Sequence, residues 1–373
     1  MYGWQPQNAM SAIPWRELAG DGRESRIFRD GDGGLQDSEG EMRAYRMGDG
    51  GTIQVHEEER PVPGRGEILV RVQAASINRR DVRILEGTYP LPGRPGVVPL
   101  SDGAGEVVAV GEGVTRFRVG DRVTGSYWPR WHDGRLRPEL VDQLGCTSDG
   151  FLAEFAMLDE GAAVRVPDHL TWAEAAGLTC AGVTAWRALT GGQPVRPGDT
   201  VLTLGTGDVS LFAVLFGKLM GCRVVSTTSS EAKAARLREL GADHVIDYVR
   251  NPEWSREVRE VTDGQGADVV VETHGPPTIG ESIRASATYG QIVLLWVRPG
   301  ELRISEYAMA GKLGTIRREF VGNRNDLEAM CRAMAAHGIR PPIDRVFPFD
   351  AAKDAYQYFE EEESFGKVVI SIR

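Results

Sequence analysis

The stretch 199–233, DTVLTLGTGDVSLFAVLFGKLMGCRVVSTTSSEAK, constrains the fold of this chain more than any other. A short apolar run, Val201-Leu202-Thr203-Leu204, leads into Gly205-Thr206-Gly207. A helical spacing of apolar residues follows (Val209, Leu211, Phe212, Val214, Leu215, Leu219) and stops at Gly221. Arg223-Val224-Val225-Ser226 then begins a second strand. Strand, glycine turn, helix and strand in that order form a βαβ unit. Glycines let the backbone approach a diphosphate, and the helix N-terminus offers free N–H groups and the positive end of its dipole. Gly205, Thr206, Gly207, Val209 and Ser210 are therefore candidate cofactor contacts, although Ser210 stands where the third glycine of the fingerprint would be. Asp208 puts a carboxylate into the same loop. That is unfavourable beside a diphosphate unless its side chain turns to solvent.

The chain of 373 residues suits two domains. A net charge of −10 gives no footprint for nucleic acid. Cys146, Cys180, Cys222 and Cys331 are scattered without close pairs, which argues against a disulfide framework and a four-cysteine zinc site. No apolar run reaches membrane-spanning length and the N-terminus has no signal core, so the reading is a cytoplasmic protein without membrane contact.

Residues 1–41 are rich in Gly, Asp, Glu and Arg and are expected to form a flexible extension; the alternative is a docking arm using Trp4, Trp15 and Phe28. From Met42 the pattern is β-rich with Gly and Pro punctuation. Strands are expected at 43–47, 52–57, 67–76, 104–110, 121–124, 151–158 and 163–165, with a helix at 78–85. Thr171 and Glu174 form a capping-box signature for a helix at 172–178, and a second helix is expected at 184–190. After the βαβ unit, helices at 231–240, 255–262 and 279–287 alternate with strands at 244–246, 268–272 and 291–297, predicting a parallel doubly wound sheet. Helices at 325–337 and 351–361 and strands at 344–347 and 367–372 close the chain. The acidic run 360–363 reads as a solvated helix end.

AASINRRDVRILEGTYP, PLSDGAGEVVAVGEGVTRFRVGDRV, GLTCAGVTAWRAL, LGADHVIDY, FVGNRNDLEAM and FGKVVISI, in this order, resemble the medium-chain dehydrogenase/reductase superfamily. They are most similar to its zinc-free quinone-oxidoreductase-like branch, often labelled NAD(P)-dependent alcohol dehydrogenase. The resemblance implies an α/β fold: a GroES-like β-rich domain over 42–168 and 324–373, and a Rossmann doubly wound parallel sheet over 169–323. It also implies a homodimer.

Zinc-dependent relatives carry Cys where this chain has Asn78, His where it has Ser101, and often Glu where it has Asp102. Only Cys180 matches a ligand. A thiolate, an amide and a hydroxyl do not make a zinc site, so no metal is expected and Cys180 reads as a buried packing residue. Without a Lewis acid, hydride transfer needs hydrogen-bond donors or a substrate that delocalises charge, such as a quinone or an α,β-unsaturated carbonyl. The resemblance makes Tyr89 a candidate proton donor, the alternative being a turn aromatic before Pro90. It puts Asn78 near the nicotinamide, while Asp81 organises the local helix. Trp128, Trp131 and His132 line a substrate entrance or pack the loop down.

The second strand of the βαβ unit ends in Thr228 and Ser229, with no acid before Glu231. Hydroxyls and Lys233 suit a 2′-phosphate, and Lys233 and Tyr248 match positions near that phosphate in relatives, so NADPH is preferred over NADH. Lys233 as an exposed helix lysine is the alternative. Thr184, Thr273 and the run Phe320, Val321, Gly322 resemble positions beside the nicotinamide. His274 and Asp208 stand where relatives have smaller residues. The expected function is zinc-independent, NADPH-dependent reduction of a small quinone or enone. A zinc-free alcohol or aldehyde dehydrogenase and a cofactor-binding protein without turnover are the alternatives.

Overall fold

The computed structural model describes residues 40–295, 300–361 and 364–373. Nearly all of the expected N-terminal extension, the end of the strand expected at 291–297, and Glu362 and Glu363 of the acidic run lie outside the described residues.

An antiparallel pair, β1 (Glu41–Met47) and β2 (Ile53–Glu59), forms a small separate sheet ahead of the first large one. β3 (Glu67–Ser76) follows, then the short helix α1 (Arg79–Leu85), β4 (Asp102–Val110), β5 (Arg122–Gly125), β6 (Phe155–Asp159) and β7 (Ala163–Arg165). β3 pairs antiparallel with β4 and β6, and the sheet continues through β5 to β7. A Cβ at Gly105 would lie 2.1 Å from the Arg71 carbonyl oxygen, so only glycine lets β4 cross β3 so closely. The strand expected from 151 starts only at Phe155. The amides of Phe151 and Leu152 instead bond to Pro99, and both side chains plug the β-rich core.

Thr171 caps α2 (Trp172–Ala176) with Glu174 in the expected capping box. The helix then widens into a π turn, Leu178–Gly182, before α3 (Val183–Thr190). The Thr179 hydroxyl lies 2.9 Å from that of Thr124 and donates to the Gly125 carbonyl, pinning this turn to β5.

The second sheet comprises β8 (Thr200–Thr203), β9 (Arg223–Thr228), β10 (His244–Asp247), β11 (Ala267–Glu272), β12 (Ser286–Leu294) and β13 (Thr315–Arg318). Its order is β10-β9-β8-β11-β12-β13, and every pair is parallel. The crossovers carry α4 (Asp208–Leu219), α5 (Glu231–Glu239), α6 (Trp254–Val261), α7 (Ile279–Ala285) and α8 (Glu306–Ala310). One face buries Val201, Val269, Val271 and Val293 with α3 and α4 side chains such as Ala185, Phe212 and Phe216. The other buries Leu202, Val225, Val270 and Ile292 with Val258, Ile279 and Ile283 of α6 and α7. Helices on both faces explain why these strands read as continuous apolar runs. The strand order reverses between β8 and β11, the kind of switch point beyond whose C-terminal strand ends open α/β sheets bind ligands. The helix expected at 279–287 stops at Ala285, because Ser286 already pairs with Ala267. The sequence reading assigned neither α8 nor β13.

The chain then returns through α9 (Arg324–His337), β14 (Ile343–Pro348), α10 (Ala352–Glu361) and β15 (Lys367–Ser371). β15 lies between β14 and β3, with Val369 opposite Ser76, so the C-terminal strand completes the first sheet.

Candidate active site

Gly205, two residues past β8, has φ +71°, a backbone conformation that side chains resist. Its amide donates to the Thr227 hydroxyl (3.1 Å), and Thr203 and Ser226 hydroxyls meet at 2.7 Å, so the turn is tied to β9. The Ser210 hydroxyl donates back to the Leu204 carbonyl (2.7 Å) and is buried. It therefore replaces the third glycine as a clamp on the turn. Thr273, after β11, donates to the same carbonyl (3.1 Å). Gly207 caps α4, and a Cβ there would meet nothing within 4 Å. Space is thus open beside Gly207 at the start of α4, where a diphosphate would lie. A Cβ at Gly205 would meet His274 Cε1 at 3.3 Å, so His274 stands over one side of this cradle.

At the end of β9 the Thr228 hydroxyl is buried with no hydrogen-bond partner. Such an orphan is costly unless a ligand group answers it. The Tyr248 amide donates to the Thr228 carbonyl (3.0 Å), and Ser230 caps α5 by accepting from the Lys233 amide. Thr228, Ser229, Lys233 and Tyr248 are thereby gathered at one corner of the sheet. The open glycine turn and the orphan hydroxyl beside it fit a dinucleotide.

Between the two sheets stands a lysine that the sequence reading did not single out. Lys367 opens β15 and is 1% exposed. Its ammonium donates to Asn78 Oδ1 (2.7 Å) and the Ile77 carbonyl (2.9 Å), and lies 3.3 Å from Asp208 Oδ2 and 3.9 Å from Asp102 Oδ2. Asp208 has therefore not turned to solvent. It turns inward, and its side chain is 14% exposed. Burial raises its carboxyl above the usual range, and Lys367 opposes that rise. A lysine opening an otherwise apolar strand, KVVIS, was the available signal, since lysine is almost never fully buried without partners.

These contacts also decide how the positions of the missing zinc ligands are used. Ser101 donates to Asp102 Oδ1 (2.8 Å), and the Cys180 amide donates to Asp102 Oδ2 (3.2 Å). Asn78 Oδ1 faces an ammonium, which only donates, so its Nδ2 is the group left buried without a partner. Cys180 lies in the π turn and packs against the core as expected, though it is less completely buried than the other three cysteines. Burial and neighbouring Asp102 push its thiol well above the usual range. A single thiol with a hydroxyl, an amide and a nearby ammonium does not supply the three strong ligands a zinc ion needs. Among the described residues no group of three or more His, Cys, Asp or Glu side chains could hold a metal ion.

Tyr89 is buried, and its hydroxyl lies 2.9 Å from that of Tyr127 and 3.0 Å from Gln143 Oε1. Tyr127 donates to the same oxygen (2.9 Å). Buried Arg80 reaches Gln143 Oε1 (3.2 Å), the Leu144 carbonyl (2.8 Å) and Asp81 Oδ1 (3.2 Å), with its guanidinium over both tyrosine rings. Burial pushes the Tyr89 phenol up to about 12, with Arg80 opposing. Burial raises the Tyr127 phenol well above its usual value. Asp81 also accepts from the Asn78 amide (2.9 Å), the helix-organising role expected of it. The sequence reading counted Tyr127 only as a loop aromatic and passed over Arg80 and Gln143.

Trp128 and Trp131 are buried and His132 is exposed. Trp128 Nε1 donates to the Phe320 carbonyl (3.3 Å), and Tyr127 and Trp128 both pack edgewise or tilted on the Phe320 ring. Val321 holds φ +61°, a strained conformation for a β-branched residue. A Cβ at Gly322 would meet Val183 Cγ1 at 2.6 Å, so residues 320–322 are wedged against α3. Thr184 donates to the Cys180 carbonyl (2.6 Å).

Two family models match this chain: the alcohol dehydrogenase GroES-like domain over residues 64–168, and the zinc-binding dehydrogenase over residues 240–370. A zinc-type alcohol dehydrogenase-like protein of Schizosaccharomyces pombe is 38% identical over 333 residues, covering 86% of this chain and 96% of that protein. A solved structure from Sinorhizobium meliloti 1021, named as a candidate alcohol dehydrogenase, is 35% identical with a TM-score of 0.86, covering 90% of this chain and 100% of that one. The crystal structure of an NAD-dependent alcohol dehydrogenase is 32% identical with a TM-score of 0.81, covering 89% and 100%. A GroES-like β-rich domain joined to a Rossmann-type parallel sheet, with these relatives, makes this chain an alcohol dehydrogenase-like oxidoreductase of the medium-chain dehydrogenase/reductase superfamily, whose members use a nicotinamide cofactor.

Proposed function

We propose that the chain reduces a quinone or an α,β-unsaturated carbonyl compound, with NADPH as hydride donor and no metal in the reaction. The observation that carries this reading is the Lys367 ammonium bonded to Asn78, amid residues whose donor set does not fit zinc. When bound, the nicotinamide supplies the hydride. The start of α4 and the Gly205–Gly207 turn hold the diphosphate, and Thr228, Ser229, Lys233 and Tyr248 hold the adenosine 2′-phosphate. Thr184, Thr273, Phe320, Val321 and Gly322 flank the nicotinamide. Asn78 Nδ2 donates to the substrate oxygen, where negative charge grows during reduction. Tyr89 keeps its proton at neutral pH and delivers it to the product.

The test measures oxidation of NADPH and of NADH with a quinone, an enone and an aldehyde, on protein whose metal content is determined. Preference for NADPH with the first two acceptors is expected. Activity on the aldehyde alone, or stoichiometric zinc whose removal abolishes turnover, overturns the reading. Those outcomes belong to a second reading, an alcohol or aldehyde dehydrogenase, which the names of the relatives favour. Tight NADPH binding with no turnover on any acceptor indicates a binding protein instead.

The proposed assembly is a homodimer through β13. Among the described residues that strand pairs only with β12, and Tyr289, Tyr307 and Leu313 nearby are exposed. Light scattering tests it, and a monomeric mass refutes it. No helix among the described residues is long and apolar enough to cross a membrane.

A further inference from the structure

The inference rests on the dinucleotide reading of the α4 cradle. Asp208 is the first residue of that twelve-residue helix, and the preceding cap, Gly207, has no side chain to answer the free amides. The first turn therefore attracts an anion. The chain supplies one itself: the Asp208 carboxylate sits at the helix start and reaches across to Lys367 on the other sheet (3.3 Å). Lys367 does not depend on this contact alone. Asn78 Oδ1 and the Ile77 carbonyl take two of its three N–H groups, and the Asp102 carboxylate lies 3.9 Å away. The Asp208 contact is thus separable from the rest of the cluster.

We propose that Asp208 is a built-in competitor of the cofactor's diphosphate. The carboxylate and the diphosphate are alternatives for the same helix end and the same ammonium. Residue 208 therefore sets the dinucleotide affinity, and cofactor arrival is coupled to release of a cross-link between the two sheets.

The experiment compares equilibrium dissociation constants for NADPH and NADH, by calorimetry or tryptophan fluorescence, in the wild type, Asp208→Asn and Asp208→Gly. Circular dichroism confirms that each protein is folded. No turnover is needed. Asparagine keeps the shape and can still accept from Lys367, and glycine removes the side chain altogether. Removing one like charge from a diphosphate site predicts binding about ten-fold tighter in both variants. The gain should disappear when Lys367→Met is combined with Asp208→Asn. Wild-type binding with variants equal to it within about two-fold, or weaker, overturns the competition and leaves the cofactor reading intact. Folded proteins that bind neither dinucleotide, variants included, overturn both.

Discussion

Replacing Lys367 by methionine removes the ammonium that touches Asp208 and Asn78 while keeping most of the side-chain volume. The lost contacts are the hydrogen bonds to Asn78 (2.7 Å) and the Ile77 carbonyl (2.9 Å) and the ion pair to Asp208 (3.3 Å). Asp102 keeps Ser101 and the Cys180 amide, so Asp208 bears most of the loss. Breaking a buried pair from one side costs about 3–5 kcal/mol, chiefly through the charge left behind. The cost depends on pH in a definite direction. Burial raises the Asp208 carboxyl and Lys367 lowers it, so the variant leaves burial opposed only by Arg79, the smallest of these influences. A carboxyl raised in the folded state costs stability above its folded pKa, and that cost disappears below the unfolded value of about 4. The deficit, read from urea midpoints, should be greatest near pH 7.5 and shrink toward pH 5. Adding Asp208→Asn should restore about 1–3 kcal/mol, the non-additivity of contacting groups. A loss below about 1 kcal/mol, strict additivity, or a deficit that grows on acidification refutes the reasoning.

Tyr89→Phe should lower kcat by about 10²-fold with little change in dinucleotide affinity. With its phenol pushed up to about 12, the wild-type kcat should show no Tyr89 ionisation between about pH 6 and 10. Lys233→Ala should weaken NADPH by about ten-fold and leave NADH nearly unchanged, as titration of both cofactors would show. Glu272, buried at the end of β11, accepts from the amides of His274 and Gly275 and the hydroxyls of Thr278 and Ser282. Glu272→Ala should destabilise the protein by about 3 kcal/mol or more in thermal or urea unfolding, since those donors lose their acceptor.

The parts of the fold that follow from local chemistry were legible in the sequence. Thr171 and Glu174 announce their helix because a capping box is a contact within four residues. The βαβ unit is legible because buried parallel strands and an amphipathic helix have different periods. The π turn at Leu178–Gly182 was not legible: its cause is Thr179 bonding to Thr124 and Gly125, more than fifty residues away. The ends of α7 and β12 moved for the same reason, since pairing of Ser286 with Ala267 overrides helix propensity. At the site, the glycines and hydroxyls were visible as types in context. The direction of Asp208 was not, because it depends on a cation 159 residues further along the chain. Tyr127 and Gln143 came from a loop with no period at all, and only the folded loop joins them to Tyr89.

Asn78 and Lys367 are 289 residues apart, and the whole six-stranded parallel sheet lies between them. This separation imposes an order on assembly during synthesis. The nucleotide sheet closes once Arg318 has emerged, whereas the first sheet waits with the edge of β3 open at Ala74, Ala75 and Ser76 until β15 arrives. Until then Asn78 has no cation and Asp208 no partner, so a cradle for the cofactor exists before the site that would use it. The long loop adds little entropy for its length once the inserted sheet has folded and brought its ends together. The insert thus acts as the splint on which the catalytic half of the molecule is closed.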